Sequence, residues 1–375
     1  MADTTPIEWT DATWNIVTGC SVVSPGCTNC YAMRLAGTRL QHHPSRAGLT
    51  VDSKAGPVWN GQVRFNAEWL TQPLRWTRPR MIFVAAHGDL FHDGVTDDQL
   101  DQIFAVMALC PRHVFQILTK RPERMRAYLT GLSDCWRARL AVANDPGSLP
   151  ISMADVGRAL GIGAKFSYDP PTPAWPLPNV WLGVSVEDQT RADERIPILL
   201  DTPAAVRWIS AEPLLGPVDL GAVRAARLAP EDADDVWTFD ALAVGDYYSN
   251  HLPSGLTEGG DGPDRAHRLD WVVIGGESGP GVRPMHPDWA RQLRDQCAAA
   301  GVPFLFKQWG AWAPRDEWRP GVNAPAMVAV AADGGRVPDD VAPQDVGGHR
   351  MARVGKKASG RHLDGVLHDG FPGVR

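Results

Sequence analysis

Met81-Ile-Phe-Val-Ala-Ala-His87-Gly88-Asp89 is a short apolar run that stops abruptly at polar residues. Thr96-Asp-Asp-Gln99 then fits a helix capping box, and Leu100, Ile103, Phe104 and Met107 recur at helical spacing. Strand, polar turn and helix together make one β-then-α unit. The unit repeats along the chain. Val114-Phe-Gln-Ile-Leu118 stops at Thr119-Lys120, before Pro122 opens a helix. Val180 to Val184 stops at Ser185-Val-Glu187, with a helix predicted from about Asp188 to Leu200. Val206 to Ile209 stops at Ser210-Ala-Glu212. Trp271 to Ile274 stops at Gly275-Gly276-Glu277, and Pro287 opens a helix that carries Trp289, Leu293 and Cys297 on one face. Gly301 is placed to terminate that helix as its C′ glycine. Pro303-Phe-Leu-Phe306 ends at Lys307-Gln308.

Continuous apolar strands alternating with helices predict a parallel sheet covered on both faces. The fold class expected is α/β, a partial (β/α) barrel of TIM type with about six to seven parallel strands. In such sheets functional groups gather at the carboxyl ends of the strands. Those ends carry Gly88, Asp89, Lys120, Ser185, Glu187, Glu212, Gly275, Gly276, Glu277 and Lys307. For any one of these charges a solvated loop is an equal reading. The chain is expected to be one domain over residues 1–375. Two insertions, 131–178 and 221–268, interrupt the repeat, and a Gly- and Pro-rich segment, 314–375, is expected to wrap the outside. Residues 41–62 read as a surface excursion.

The 375 residues are 44% hydrophobic and 21% charged, ordinary for a globular protein with a large core. No apolar run approaches the roughly 18 residues of a membrane span, so no membrane partner is expected. The N-terminus lacks the parts of a signal peptide, which points to the cytoplasm. A net charge of −6 gives no overall attraction to nucleic acid. Local basic stretches are the exception: Arg75-Trp76-Thr-Arg78-Pro-Arg80, Lys120-Arg121-Pro-Glu-Arg124 and Gly355-Lys356-Lys357-Ala-Ser-Gly-Arg361. A solvated face is the blander reading of each.

Cys20-Ser-Val-Val-Ser-Pro-Gly-Cys27-Thr-Asn-Cys30-Tyr31 places three thiols in one short loop. In a reducing compartment that spacing suggests metal before disulfide. One reading is a structural zinc ion with His42 or His43 as fourth ligand. The other is a four-iron cluster with one iron open to a ligand, which the position of the loop beside a strand end favours. Cys110 and Cys297 read as core thiols, and Cys135 is undetermined.

Seven stretches share one pattern: Ile7 to Asn15 with the cysteine loop, His87-Gly-Asp-Leu-Phe91, Leu118-Thr-Lys-Arg-Pro122, Gly183-Val-Ser-Val-Glu187, Ser210-Ala-Glu-Pro-Leu214, Gly275-Gly-Glu-Ser-Gly279 and Phe306-Lys-Gln-Trp-Gly310. Over residues 6 to 312, and again from Val354-Gly-Lys-Lys357 to Gly365, the chain resembles a family of phage and bacterial proteins of largely unassigned function related to radical-SAM enzymes. The resemblance implies a radical-SAM-like partial barrel with a [4Fe–4S] cluster on Cys20, Cys27 and Cys30. S-adenosylmethionine would bind the fourth iron and be cleaved reductively, giving a radical that abstracts hydrogen from a complex substrate. Six residues separate the first two cysteines where three is usual among radical-SAM enzymes. Asn29 stands where an aromatic residue usually precedes the third cysteine, and Tyr31 follows it.

The resemblance further implies cofactor contacts from Gly88-Asp89, in place of the usual Gly-Gly-Glu turn, and from Tyr31, Ser185, Glu187, Gly275 and Gly276. Glu277, Lys120 and Glu212 are the candidate catalytic groups. The implied partners are an electron donor of flavodoxin or ferredoxin type and a nucleobase in DNA or RNA as substrate. The alternative is a non-catalytic iron–sulfur or zinc module that binds nucleic acid or regulates.

Overall fold

The computed structural model describes residues 5–133, 174–225, 237–245, 248–249, 267–315, 326–338 and 341–373. Its central feature is a seven-stranded sheet. The strands are β1 (Ala12–Trp14), β2 (Met81–Val84), β3 (Val114–Thr119), β4 (Val180–Ser185), β5 (Val206–Ala211), β6 (Trp271–Gly275) and β7 (Phe304–Gln308). Their hydrogen-bonded order is the order of the chain, from β1 at one edge to β7 at the other. The β1–β2, β2–β3, β5–β6 and β6–β7 pairings are parallel. A sequential, mixed α/β, parallel sheet left open at both edges has the topology of a partial β/α barrel.

Each apolar run forms a strand because its residues are buried on both faces. Val180 to Ser185 and Trp271 to Gly275 are buried throughout. The principal helices follow where the sequence places them. They are α1 (Tyr31–Gly37), α2 (Asp97–Ala108), α3 (Pro122–Ser133), α4 (Gln189–Leu200) and α5 (Pro287–Ala300). The Thr96 capping box is complete: the Gln99 amide donates to Thr96 Oγ1, and the Thr96 amide donates to Gln99 Oε1. Gly301 ends α5 in the left-handed region at φ 64°.

The chain divides into two compact units. The first comprises Met1–Val23, Cys30–Gly183 and Thr202–Val206. Its core is built from Trp14, Ile82, Val84, Leu100, Ile103, Phe104, Phe115 and Leu129, all buried. The 41–62 stretch is more structured than an excursion. Thr50–Ser53 pairs with Gly56–Trp59 as a hairpin, and Leu49 and Trp59 pack with Ala32, Met33 and Ala36 of α1.

The second unit comprises Ser24–Asn29, Val184–Asp201 and Arg207–Arg375. Trp208 and Trp271 stack in its core with ring centroids 5.3 Å apart, beside buried Leu293, Phe306 and Trp309. Within the 221–268 insertion, Val223–Arg224, Trp237–Phe239 and Tyr248–Ser249 form a small antiparallel sheet. In the C-terminal segment, His349–Arg353 pairs with both Trp312–Pro314 and Met327–Val330. The capping pattern at Ser152 and Cys135 lie outside the described residues. Among the described residues no helix is long and apolar enough to cross a membrane.

Candidate metal centre at the cysteine loop

None of Cys20, Cys27, Cys30, Cys110 and Cys297 is in a disulfide. Cys110 and Cys297 are core thiols, and burial pushes each up to about 12, away from thiolate chemistry at neutral pH. The loop from Cys20 to Cys30 is different, because strand-end carboxylates fasten it in both units.

In the first unit the fastening group is Asp89, buried just past β2. Its Oδ1 accepts from Thr119 Oγ1 at 2.7 Å and from the Phe91 amide at 3.0 Å. Its Oδ2 accepts from the Lys120 amide at 3.1 Å and from Arg121 Nη1 at 2.8 Å. Arg121 in turn donates from Nη1 to Cys20 Sγ at 3.6 Å and from Nη2 to Ser21 Oγ at 2.6 Å. Burial works against the Arg121 cation, yet Asp89 and Cys20 outweigh it and hold its pKa above the ordinary value. Asp89 thus accepts four protein hydrogen bonds and orients Arg121.

In the second unit two carboxylates hold the Ser24–Asn29 part of the loop. Glu187, fully buried after β4, accepts from Ser24 Oγ at 2.7 Å and from Arg195 Nη1 at 2.9 Å. Ser24 Oγ also lies 3.8 Å from Cys27 Sγ. Gly26 passes so close to Glu187 that any side chain there would overlap the carboxylate. Glu277, buried after β6, accepts from Asn29 Nδ2 at 2.9 Å and from the Arg283 amide at 2.8 Å. The Arg283 guanidinium pairs with the same carboxylate and reaches Pro25 O at 2.9 Å. Three predicted strand-end acids thus act on the loop by direct or relayed hydrogen bonds.

The other predicted residues fall as follows. Glu212 is held by Lys307 Nζ at 2.8 and 2.9 Å and by Gln308 Nε2 at 3.2 Å. Ser185 accepts from Arg195 through its backbone carbonyl. Lys120 engages Asp89 through its amide, and its side chain is half-buried. Tyr31 is largely exposed and donates its hydroxyl to Ala86 O at 2.6 Å. Gly275 lies beside Glu212. Gly88 and Gly276 are glycines for packing reasons. A Cβ on Gly88 would meet Val17 O at 2.9 Å and Gly19 O at 3.0 Å, and one on Gly276 would overlap the Trp309 carbonyl. At both Cβ positions the neighbours are protein backbone.

Arg121, Arg195 and Arg283 were not singled out in the sequence as site residues. Arg121 alone carries a local signal, standing one residue past a strand-end Lys120. Arg195 and Arg283 pair across a turn and a helix, which spacing does not reveal.

Among the described residues, the set of three ligand atoms lying within 4.8 Å of one another is that of His286, Asp288 and His349. Its chemistry is that of a helix cap. His286 Nδ1 accepts from the Asp288 amide at 3.2 Å at the start of α5, and Nε2 faces Gly347 O at 3.1 Å. Both ring nitrogens are committed, so His286 cannot take an ion without releasing the helix.

The fold defines a mixed α/β protein built on a sequential parallel sheet. Residues 4–372 match the family described as "Protein of unknown function (DUF5131)", and the chain belongs to that family. No curated protein matches the chain, and no solved structure does.

Proposed function

We propose that this protein is an iron–sulfur enzyme of radical-SAM type, with Cys20, Cys27 and Cys30 as ligands of a [4Fe–4S] cluster. The observation that supports this most is the anchoring of the loop by Asp89 through Arg121, by Glu187 and by Glu277. A structural staple does not need its flanking residues fixed by three separate strand ends, whereas a reactive centre needs its ligands held in one geometry. Two of the three sulfurs have contacts of the kind cluster sulfurs accept: Cys20 Sγ receives a guanidinium N–H, and Cys27 Sγ lies beside a hydroxyl. Such a cluster, when bound, supplies the electron that cleaves S-adenosylmethionine reductively.

The chain's own part is positional. Arg121 steadies Cys20, Ser24 links the Cys27 turn to Glu187, and Asn29 ties the approach to Cys30 to Glu277. Lys307 and Glu212 form a half-buried pair within reach of Gly275, poised to hold a polar substrate group. A flavodoxin or ferredoxin would deliver the electron, and a nucleobase in DNA or RNA is the proposed substrate class. The same ion pairs also suit a second reading, a metal-binding module without turnover, because Glu212 and Glu277 are both already neutralised by cations.

One assay separates the two. Protein purified without oxygen is expected to carry iron and sulfide and to absorb in the visible range. With dithionite and S-adenosylmethionine it should then release 5′-deoxyadenosine. Cys27→Ala should lose both colour and cleavage. Zinc in place of iron, or a coloured protein without cleavage, removes the enzyme reading.

A further inference from the structure

A second polar cluster lies past the carboxyl end of β2, within the first unit, and no residue of the cysteine loop is needed to build it. Arg46 is only 5% exposed. Its partners are all neutral: Ser45 Oγ receives Nη1, His87 Nδ1 receives Nη2 at 2.7 Å, and the Trp69 ring lies 5.7 Å from the guanidinium carbon. Its Nε–H is buried with no hydrogen-bond partner. Among the described residues no carboxylate pairs with it. A cation–π contact contributes about 0.5–2 kcal/mol. Burying an unpaired cation costs several kcal/mol, so the aromatic ring does not offset it.

The neighbourhood adds donors and positive charge. Because His87 Nδ1 accepts from Arg46, its proton sits on Nε2, and no described residue accepts from that atom. The charged groups acting on His87 are Arg46 and Arg39, both cations, and with burial they lower its pKa to about 4. Tyr31 stands at one side, its ring T-shaped to His87 with centroids 5.8 Å apart, and the residue is about half exposed. A buried guanidinium hydrogen-bonded to His87 and a second cation acting on the same ring therefore stand with no negative charge among them.

We infer that Arg46, His87 and Arg39 form a binding site for the oxyanion of a ligand, either a phosphate or a carboxylate. Arg46 supplies the buried charge and the Nε–H, His87 supplies the Nε2–H, and Arg39 adds charge from the rim. Crevices beyond the carboxyl ends of parallel strands are where α/β sheets take their ligands. The inference goes beyond the cluster proposal and does not rest on it.

The test uses the full-length protein and Trp69 as reporter. Tryptophan fluorescence is followed while inorganic phosphate, or acetate, replaces chloride at constant ionic strength. A saturable response is expected with at least one of the two, and the stronger one tells a phosphate ligand from a carboxylate ligand. Arg46→Met should weaken binding about tenfold or more, the loss of a charge-assisted contact. Arg39→Gln changes an exposed position, should leave folding intact, and should weaken binding by about threefold. If Arg46→Met fails to fold, Arg39→Gln and His87→Gln decide in its place. A wild-type response no different from chloride overturns the inference, and so does a response unaltered in the folded variants.

Discussion

At the scale of single residues, the site is governed by whether a buried charge has a partner. Asp89 accepts four hydrogen bonds and fixes Arg121, whose side chain is 11% exposed. Removing one partner of such a pair strands the other in a poorly solvated place, at a cost of about 3–5 kcal/mol. Asp89→Ala should lower stability by that amount in urea unfolding, while Asp89→Asn, which keeps the shape and some acceptors, should cost less. Equal losses would mean that packing, not charge, is what Asp89 provides. Gly276 makes the complementary case. Its missing side chain leaves room for the Trp309 carbonyl, and Gly276→Ala should destabilise by at least about 2 kcal/mol because backbone must move to admit a methyl group. A variant as stable as the parent would mean that the Trp309 backbone yields without cost. Sequence alone found Asp89, Glu187 and Glu277 as strand-end acids, since an acid after an apolar run stands out. It did not find what they touch, because Arg121, Ser24 and Asn29 come from elsewhere in the chain, and Arg195 and Arg283 meet their acids only across a helix and a turn.

At the scale of elements, apolar runs and caps were legible because they are local. Six of the seven strands begin and end close to their apolar stretches, and Thr96, Pro122, Pro287 and Gly301 mark helix ends by chemistry visible within four residues. The hairpin at Thr50–Trp59 was hidden, because its strands are only four residues long and Trp59 alone of those residues is buried. The cap of α5 was hidden too. Serine, threonine, aspartate and asparagine are the familiar N-caps, and here His286 fills that place with Nδ1. His286→Ala should cost about 2 kcal/mol, from the lost cap and the lost bond to Gly347. Zinc added to the parent protein should leave its melting temperature unchanged. A rise that His286→Ala abolishes would make the trio with Asp288 and His349 a metal site instead.

At the scale of the whole molecule, folding stability should depend on acid through histidines kept neutral. His87 and His113 are both lowered to about 4, first by burial and then by neighbouring arginines. His113 is fully buried and donates Nε2–H to Pro73 O, and burial with Arg112 outweighs the Pro73 and Trp76 backbone to keep the ring neutral. His286 is lowered as well, by burial and then by His349. An unfolded histidine takes a proton below about pH 6.5, whereas these refuse it when folded. Between pH 6.5 and about 4 the unfolded chain therefore binds more protons, and stability falls as pH falls. Each of His87 and His113 contributes about 3 kcal/mol to that loss once pH reaches 4, and nothing further below it. Asp364, held near 2 by Arg291 above all, acts in a later window, from about pH 3.8 downward, so it does not blur the first. Urea midpoints at pH 7.5 and pH 5 should thus differ clearly, and His113→Phe, which fills the apolar site without a titrating group, should reduce the difference. A midpoint unchanged across that interval would mean that these rings accept protons in the folded protein, and the neutral His87 on which the oxyanion site is built would fail with it.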